Sequence, residues 1–121
     1  MIKYRESEEM YLETILLLTN KGNTTRSIDI ATELNYSRAS VSRAVNLLVD
    51  RGYVTVTNGA IALTEAGKQR AQDIYERHEI ITQVLVALGA DDTVAQDNAC
   101  RIEHVITADL VQTMKQFLQN K

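Results

Sequence analysis

Apolar residues recur along this chain first with a helical period, then briefly with a period of two, then with a helical period again. In residues 6–21, Tyr11, Ile15 and Leu18 fall at i, i+4 and i+7, and Leu12 and Leu16 widen the stripe. That pattern predicts a helix with one buried side. Lys21-Gly22-Asn23 puts a cation in its last turn and a glycine beyond it, which predicts the stop. A polar run, Asn23 to Arg26, leads to a short second helix that Ser27 is expected to cap, with Ile28, Ala31 and Leu34 as its buried side. After the break Asn35-Tyr36-Ser37, Ser37 caps a third helix from Arg38 to Arg51, which buries Val41, Val45 and Leu48 and stops at Gly52. Two short helices across a three-residue turn form the helix-turn-helix pattern.

The period then changes to two. Tyr53 to Thr57 and Ala60 to Leu63 flank Asn58-Gly59, a strong hairpin signal because a type I′ turn needs positive φ at both central residues. A hairpin directly after the third helix is a wing. Thr64 caps a long fourth helix running to about Leu88, with Ala71, Ile74, Ile81, Leu85 and Leu88 on one stripe and Gly89 at its end. A fifth helix is predicted from Asp92 to Ile106. Thr107 caps a sixth, with Leu110, Met114 and Phe117 or Leu118 as its apolar face. The expected fold is mainly α. A winged helix-turn-helix (three helices and a β-hairpin wing) occupies residues 1–63, and an all-helical domain occupies residues 64–121.

Composition narrows the function classes. No apolar run approaches the roughly 20 residues that span a bilayer, and Met1 to Glu6 lack the apolar segment of a secretory signal. A lone cysteine, Cys100, cannot form an intramolecular disulfide and suits a reducing cytoplasm. The net charge of −3 argues against an indiscriminate polyanion binder, yet residues 1–63 are neutral and the acidic excess lies entirely in residues 64–121. DNA affinity would therefore depend on the placement of charge in the first half.

The third helix supplies that placement. Ser37 at its cap, and Arg38, Ala39, Ser42, Arg43 and Asn46 opposite its buried side, are expected to face DNA. Arginine reads guanine through paired hydrogen bonds, and Ser and Asn suit phosphates or other base edges. Any amphipathic helix has a polar face; the preceding turn and following wing favour the DNA reading of this one.

A second cluster lies in the helical half. Cys100, Glu103 and His104 stand at i, i+3 and i+4 and share one face of the fifth helix, with Ala95, Ala99, Ile102 and Ile106 on the other. A thiol, a carboxylate and an imidazole together suit a first-row metal ion. A solvated face carrying a chance cysteine is the plainer alternative. Further donors would come from elsewhere: His78 within the stripe of the fourth helix, and Met10 and Glu13 at i, i+3 on the first.

Glu9 to Ile15, Ser37 to Ser42, Arg77-His78 and above all Ala99-Cys100-Arg101-Ile102-Glu103-His104-Val105 resemble the diphtheria-toxin-repressor family, which includes iron-dependent repressors and manganese transport regulators. The resemblance covers residues 6–119. It implies a winged helix followed by a metal-binding and dimerisation domain, working as a homodimer on palindromic operator DNA, in a two-domain short form. Met10, Cys100, Glu103 and His104 match the primary metal site of the iron-responsive members, and His78 a ligand of their ancillary site. Thr82 and Gln96 depart from the ancillary pattern, where glutamate and histidine are expected. Glu13 matches a ligand of the manganese-type members, acting there with the histidine equivalent to His78, and Cys100 replaces a carboxylate of those proteins.

The expected function is thus a cytoplasmic, non-enzymatic repressor that binds double-stranded operator DNA under metal control. A metal joining Met10 and Glu13 to Cys100, Glu103 and His104 would tie the first helix to the fifth and fix the spacing of two recognition helices. Sulfur donors favour Fe2+ as the effective co-repressor, with Mn2+ next and Zn2+, Co2+ or Ni2+ able to bind in vitro. The competing readings are a winged-helix regulator that senses a small ligand or thiol oxidation without metal, and a metal-dependent hydrolase. The hydrolase reading lacks any oxyanion hole, substrate loop or Gly-rich phosphate cradle in the sequence.

Overall fold

In the computed structural model, which describes residues 2–120 and side chains from Glu8 onward, the chain runs α1 (Ile2–Asn20), α2 (Ser27–Leu34), α3 (Arg38–Asp50), β1 (Val54–Thr57), β2 (Ala60–Leu63), α4 (Glu65–Ala87), α5 (Asp92–Ile102) and α6 (Ala108–Gln119). The expected mainly helical architecture, a winged helix-turn-helix and then helices, is present. Contacts gather into two units, residues 3–72 and the residues from Asp73 onward, with the division falling inside α4.

The first unit is built on one apolar cluster in which Leu12, Ile15, Ile30, Val41, Leu48 and Val54 are almost completely buried. α1 contributes the predicted stripe. α2 does so in a different register: Ile30 and Ala31 are buried and Ile28 is exposed. The cap explains the difference. Arg26, not Ser27, holds the N-cap position, and its backbone N–H donates to the Asp29 carboxylate at 2.8 Å. Ser27, Ile30, Ala31 and Leu34 then form the i, i+3, i+4, i+7 stripe. The turn to α3 passes through Asn35 at φ 57°, a left-handed conformation that asparagine tolerates. The Ser37 hydroxyl accepts from Ser40 N–H at 3.1 Å, the expected cap of α3.

β1 and β2 pair antiparallel, Val54 opposite Leu63 and Thr57 opposite Ala60. Asn58 and Gly59 have φ of 51° and 81°, the two positive values that a type I′ turn requires. Val54 and Ile61 point into the core, and Thr55 and Thr57 face out. Thr64 joins the wing to α4: its hydroxyl donates to the Gly52 carbonyl at 2.7 Å and accepts from Gly67 N–H at 3.1 Å. A side chain at Gly67 would collide with the Tyr53 carbonyl, so glycine lets the first turn of α4 lie against the base of the wing. Near the core edge, the nearly buried carboxylates of Glu8 and Glu9 are balanced by cations. Arg51 lies 2.7 Å from Glu8, and Arg70 lies 3.4 Å from Glu8 and 3.6 Å from Glu9.

In the second unit, Ile74, Ile80, Ile81 and Val84 of α4 are buried, as are Ala95 and Ala99 of α5. The α4 stripe ends before Leu88, which is 73% exposed. Asp91 caps α5 by accepting from Thr93 N–H at 3.1 Å. α5 ends at Ile102, four residues before the expected Ile106. The cause is the cap of the next helix: Thr107 adopts an extended backbone so that its hydroxyl accepts from Leu110 N–H. The chain must leave α5 in time, and it does so by a tight turn in which the Val105 and Ile106 N–H groups both donate to the Ile102 carbonyl. None of the twelve residues of α6 is buried.

Candidate metal centre and nucleic-acid interface

α3 is anchored from inside by Val41, Val45 and Leu48. That anchoring turns Ser37, Arg38, Ala39, Ser42, Arg43 and Asn46 outward, and all six are exposed. The Arg43 guanidinium makes a long contact of 3.4 Å with the Ser40 hydroxyl. The Ser37 hydroxyl is engaged in the cap, where it also bonds Ser40 Oγ at 3.0 Å.

The second unit brings His78, Cys100 and Glu103 together, with ligand atoms all within 4.8 Å of one another. His78 projects from α4, Cys100 from α5, and Glu103 from the residue that caps α5. Their separation along the sequence is bridged by Arg77, whose guanidinium donates to the Glu103 carbonyl at 2.7 Å and so fixes the end of α5 beside α4. Sequence reasoning named Arg77 only within the Arg77-His78 pair that carries the resemblance and gave it no role of its own. The His78 ring also lies against Tyr75, three residues earlier, with ring centres 6.4 Å apart.

Glu103 is the unusual member. The wheel for α5 placed it opposite Ala95 and Ala99, yet the structure buries it completely with them, at i, i+4 and i+8. Its Oε1 lies 2.6 Å from His78 Nδ1. Its Oε2 is buried without a hydrogen bond and lies 3.6 Å from His104 Nε2. A buried carboxylate oxygen without a partner carries a desolvation cost of order 1–3 kcal/mol or more, which a cation would remove. Two imidazoles, a thiolate and a carboxylate are a donor set for Fe2+, Mn2+, Co2+, Ni2+ or Zn2+, so the residues present fit a first-row metal ion.

Hydrogen bonds from His78 to Cys100 and Glu103 push its pKa up to about 10, against the opposing effect of burial. The ancillary positions are otherwise engaged: Thr82 donates back to the His78 carbonyl at 2.8 Å, and Gln96 to the Asp92 carboxylate at 2.8 Å. Met10 and Glu13 lie on α1 in the first unit, where Met10 Sδ faces the Tyr36 hydroxyl at 4.0 Å.

Residues 3–59 match the family described as "Iron dependent repressor, N-terminal DNA binding domain", and residues 64–121 that described as "Iron dependent repressor, metal binding and dimerisation domain". The chain belongs to the iron-dependent repressor family. Within it, the chain is 32% identical over 117 residues, 94% of either chain, to an HTH-type transcriptional regulator of Methanocaldococcus jannaschii. It is 28% identical to the transcriptional regulator MntR of Escherichia coli, over 95% of this chain and 75% of that one. The solved structure of T. acidophilum IdeR shares the fold, with a TM-score of 0.80 at 24% identity over 92% of this chain and 53% of that one. The family's members are metal-dependent transcriptional regulators with a DNA-binding half and a metal-binding, dimerising half. No helix among the described residues is long and apolar enough to cross a membrane.

Proposed function

We propose that the protein is a cytoplasmic, non-catalytic repressor that binds palindromic operator DNA as a homodimer when its metal site is filled, with Fe2+ as the effective ion and Mn2+ acting at higher concentration. Residues 1–63 form the DNA-binding domain in this reading, and residues 64–121 the metal-binding and dimerisation domain. The observation that carries it is the orphaned, fully buried Oε2 of Glu103 beside two imidazoles and a thiol.

His78, Cys100, Glu103 and His104 hold the ion, which supplies the positive charge that the buried carboxylate lacks. Glu103 spans His78 and His104 with its two oxygens, and Arg77 keeps it in place through its carbonyl. Met10 and Glu13 are further ligands on the strength of the resemblance. Ser37, Arg38, Ala39, Ser42, Arg43 and Asn46 carry the DNA contacts.

The test is an anaerobic titration of an operator duplex, selected from a random pool, under buffered Fe2+, Mn2+, Zn2+ and chelator. Metal should raise operator affinity, and by reciprocity operator should raise metal affinity by the same factor. Separate Met10→Ala and Glu13→Gln variants should each weaken metal binding. Operator affinity equal with metal and with chelator would leave a winged-helix regulator controlled by something else.

A further inference from the structure

The wing carries no charge of its own: from Gly52 to Leu63 there is no Lys, Arg, Asp or Glu. Its two strands have four residues each; Val54 and Ile61 are buried in the core, and Leu63 packs partly against it. A two-stranded hairpin of that size is marginal by itself, so the direction of its tip depends on what holds it.

Two adjacent residues before α2 do the holding. The Thr25 carbonyl accepts from Ile61 N–H at 2.8 Å, an isolated antiparallel bridge that makes Thr25 a one-residue third strand at the base of the wing. The next residue reaches the tip. Arg26 Nη1 donates to the Asn58 carbonyl at 3.0 Å, and a Cβ at Gly59 would lie 2.6 Å from the same nitrogen. The guanidinium therefore meets the turn end-on through Nη1, and the φ of 81° at Gly59 is a conformation that favours glycine. The Arg26 backbone is itself pinned, through its N–H to Asp29 at 2.8 Å.

We infer that Arg26 is a positioning residue that aims the wing at the DNA flanking the recognition-helix site, acting through the Asn58 carbonyl. The inference rests on the DNA-binding reading above. An uncharged wing can meet the backbone only through short-range hydrogen bonds, from N–H groups, the Asn58 side-chain amide and hydroxyls such as those of Thr55 and Thr57, and such contacts are lost if the tip swings. Arg26 ties that tip to the start of α2, and so to the helix-turn-helix itself.

The experiment compares wild type, Arg26→Ala, Thr57→Glu and the double variant on a full operator and on one trimmed at both flanks, at matched salt and metal. Thr57→Glu sets a negative charge on the exposed wing and removes its DNA contact. Arg26→Ala should weaken binding to the full duplex roughly three- to tenfold, the scale of one surface hydrogen bond. It should leave the trimmed duplex unaffected and add nothing to Thr57→Glu. 15N relaxation of the free protein should show Asn58 and Gly59 becoming mobile in Arg26→Ala while α3 stays rigid. An unchanged tip overturns the inference whatever DNA does, as does equal loss on both duplexes. Full additivity with Thr57→Glu overturns it too, because Arg26 would then touch DNA itself. If wild type binds no duplex with any metal, it is the DNA-binding reading that fails, and the relaxation result still decides whether Arg26 holds the tip.

Discussion

At the residue scale the proposed site sets a proton and a metal ion in competition for one imidazole. Hydrogen bonds to Cys100 and Glu103 push the His78 pKa up to about 10, from the ordinary 6.5. A raised pKa favours the folded, metal-free protein fully below about pH 6.5, and that benefit is lost as the pH climbs toward 10. Metal ligation needs the neutral ring, so at pH 7.5 binding must expel the His78 proton. Titration calorimetry in buffers of different ionisation enthalpy should show proton release that includes the His78 proton, and His78→Gln should release about one proton fewer than wild type and bind metal more weakly. Wild-type metal binding with no proton release would show that His78 is not a ligand. In the proposed site, Cys100 sets the choice of ion. It places sulfur where the manganese-type relatives carry a carboxylate, and soft sulfur favours Fe2+ and later metals over Mn2+. Cys100→Glu should therefore shift the operator response toward lower free Mn2+ and higher free Fe2+. If wild type already responds at lower free Mn2+ than free Fe2+, sulfur is not what sets the preference.

At the element scale, α3 gives separable roles to its two exposed arginines. Arg43, midway along the exposed face and loosely held by Ser40, is expected to read a base, and Arg38 in the first turn to anchor a phosphate. Arg43→Ala should cost about 1–3 kcal/mol per half-site and relax preference at one base position. Arg38→Ala should weaken cognate and scrambled duplexes alike and flatten the salt dependence. Operator binding by Arg43→Ala that matches wild type at equal salt would remove Arg43 from the reading set. Local signals made the Ser37, Thr64 and Thr107 caps and the Asn58-Gly59 turn legible, though not the start of α2, where Arg26 and not Ser27 is the cap. Features set by distant contacts were not legible. Nothing near Thr25 announces its bridge to Ile61, and the early end of α5 follows from a cap belonging to α6. Cys100, Glu103 and His104 stood out as donor types at a spacing and His78 as a candidate from another helix, but the burial of Glu103 was not legible. A hydropathy pattern sends a carboxylate outward, and only a site built for positive charge reverses that.

At the scale of the whole molecule, the second unit exposes more apolar surface than a solitary chain has reason to keep. α6 has no buried residue, and Leu110 and Phe117 on its apolar face are 47% and 46% exposed. Leu88 and Val105 are exposed further still. Apolar surface of this kind marks an association face, and the matched family domain is a dimerisation domain. A dimer also gives the DNA half its geometry, since two recognition helices read half-sites spaced by roughly 34 Å or multiples of it. Sedimentation at micromolar concentration should give about twice the chain mass, because two copies are what a palindrome requires. A Leu110→Asp, Phe117→Asp double variant should sediment as a monomer and lose at least about tenfold in affinity for the palindrome, while a single half-site binds it as it binds wild type. Metal affinity should change little in that variant, because neither substitution touches His78, Cys100, Glu103 or His104; this separates lost pairing from lost folding. A wild-type chain that sediments as a clean monomer with and without metal would leave the exposed stripe unexplained and deny the two-half-site geometry on which repression depends.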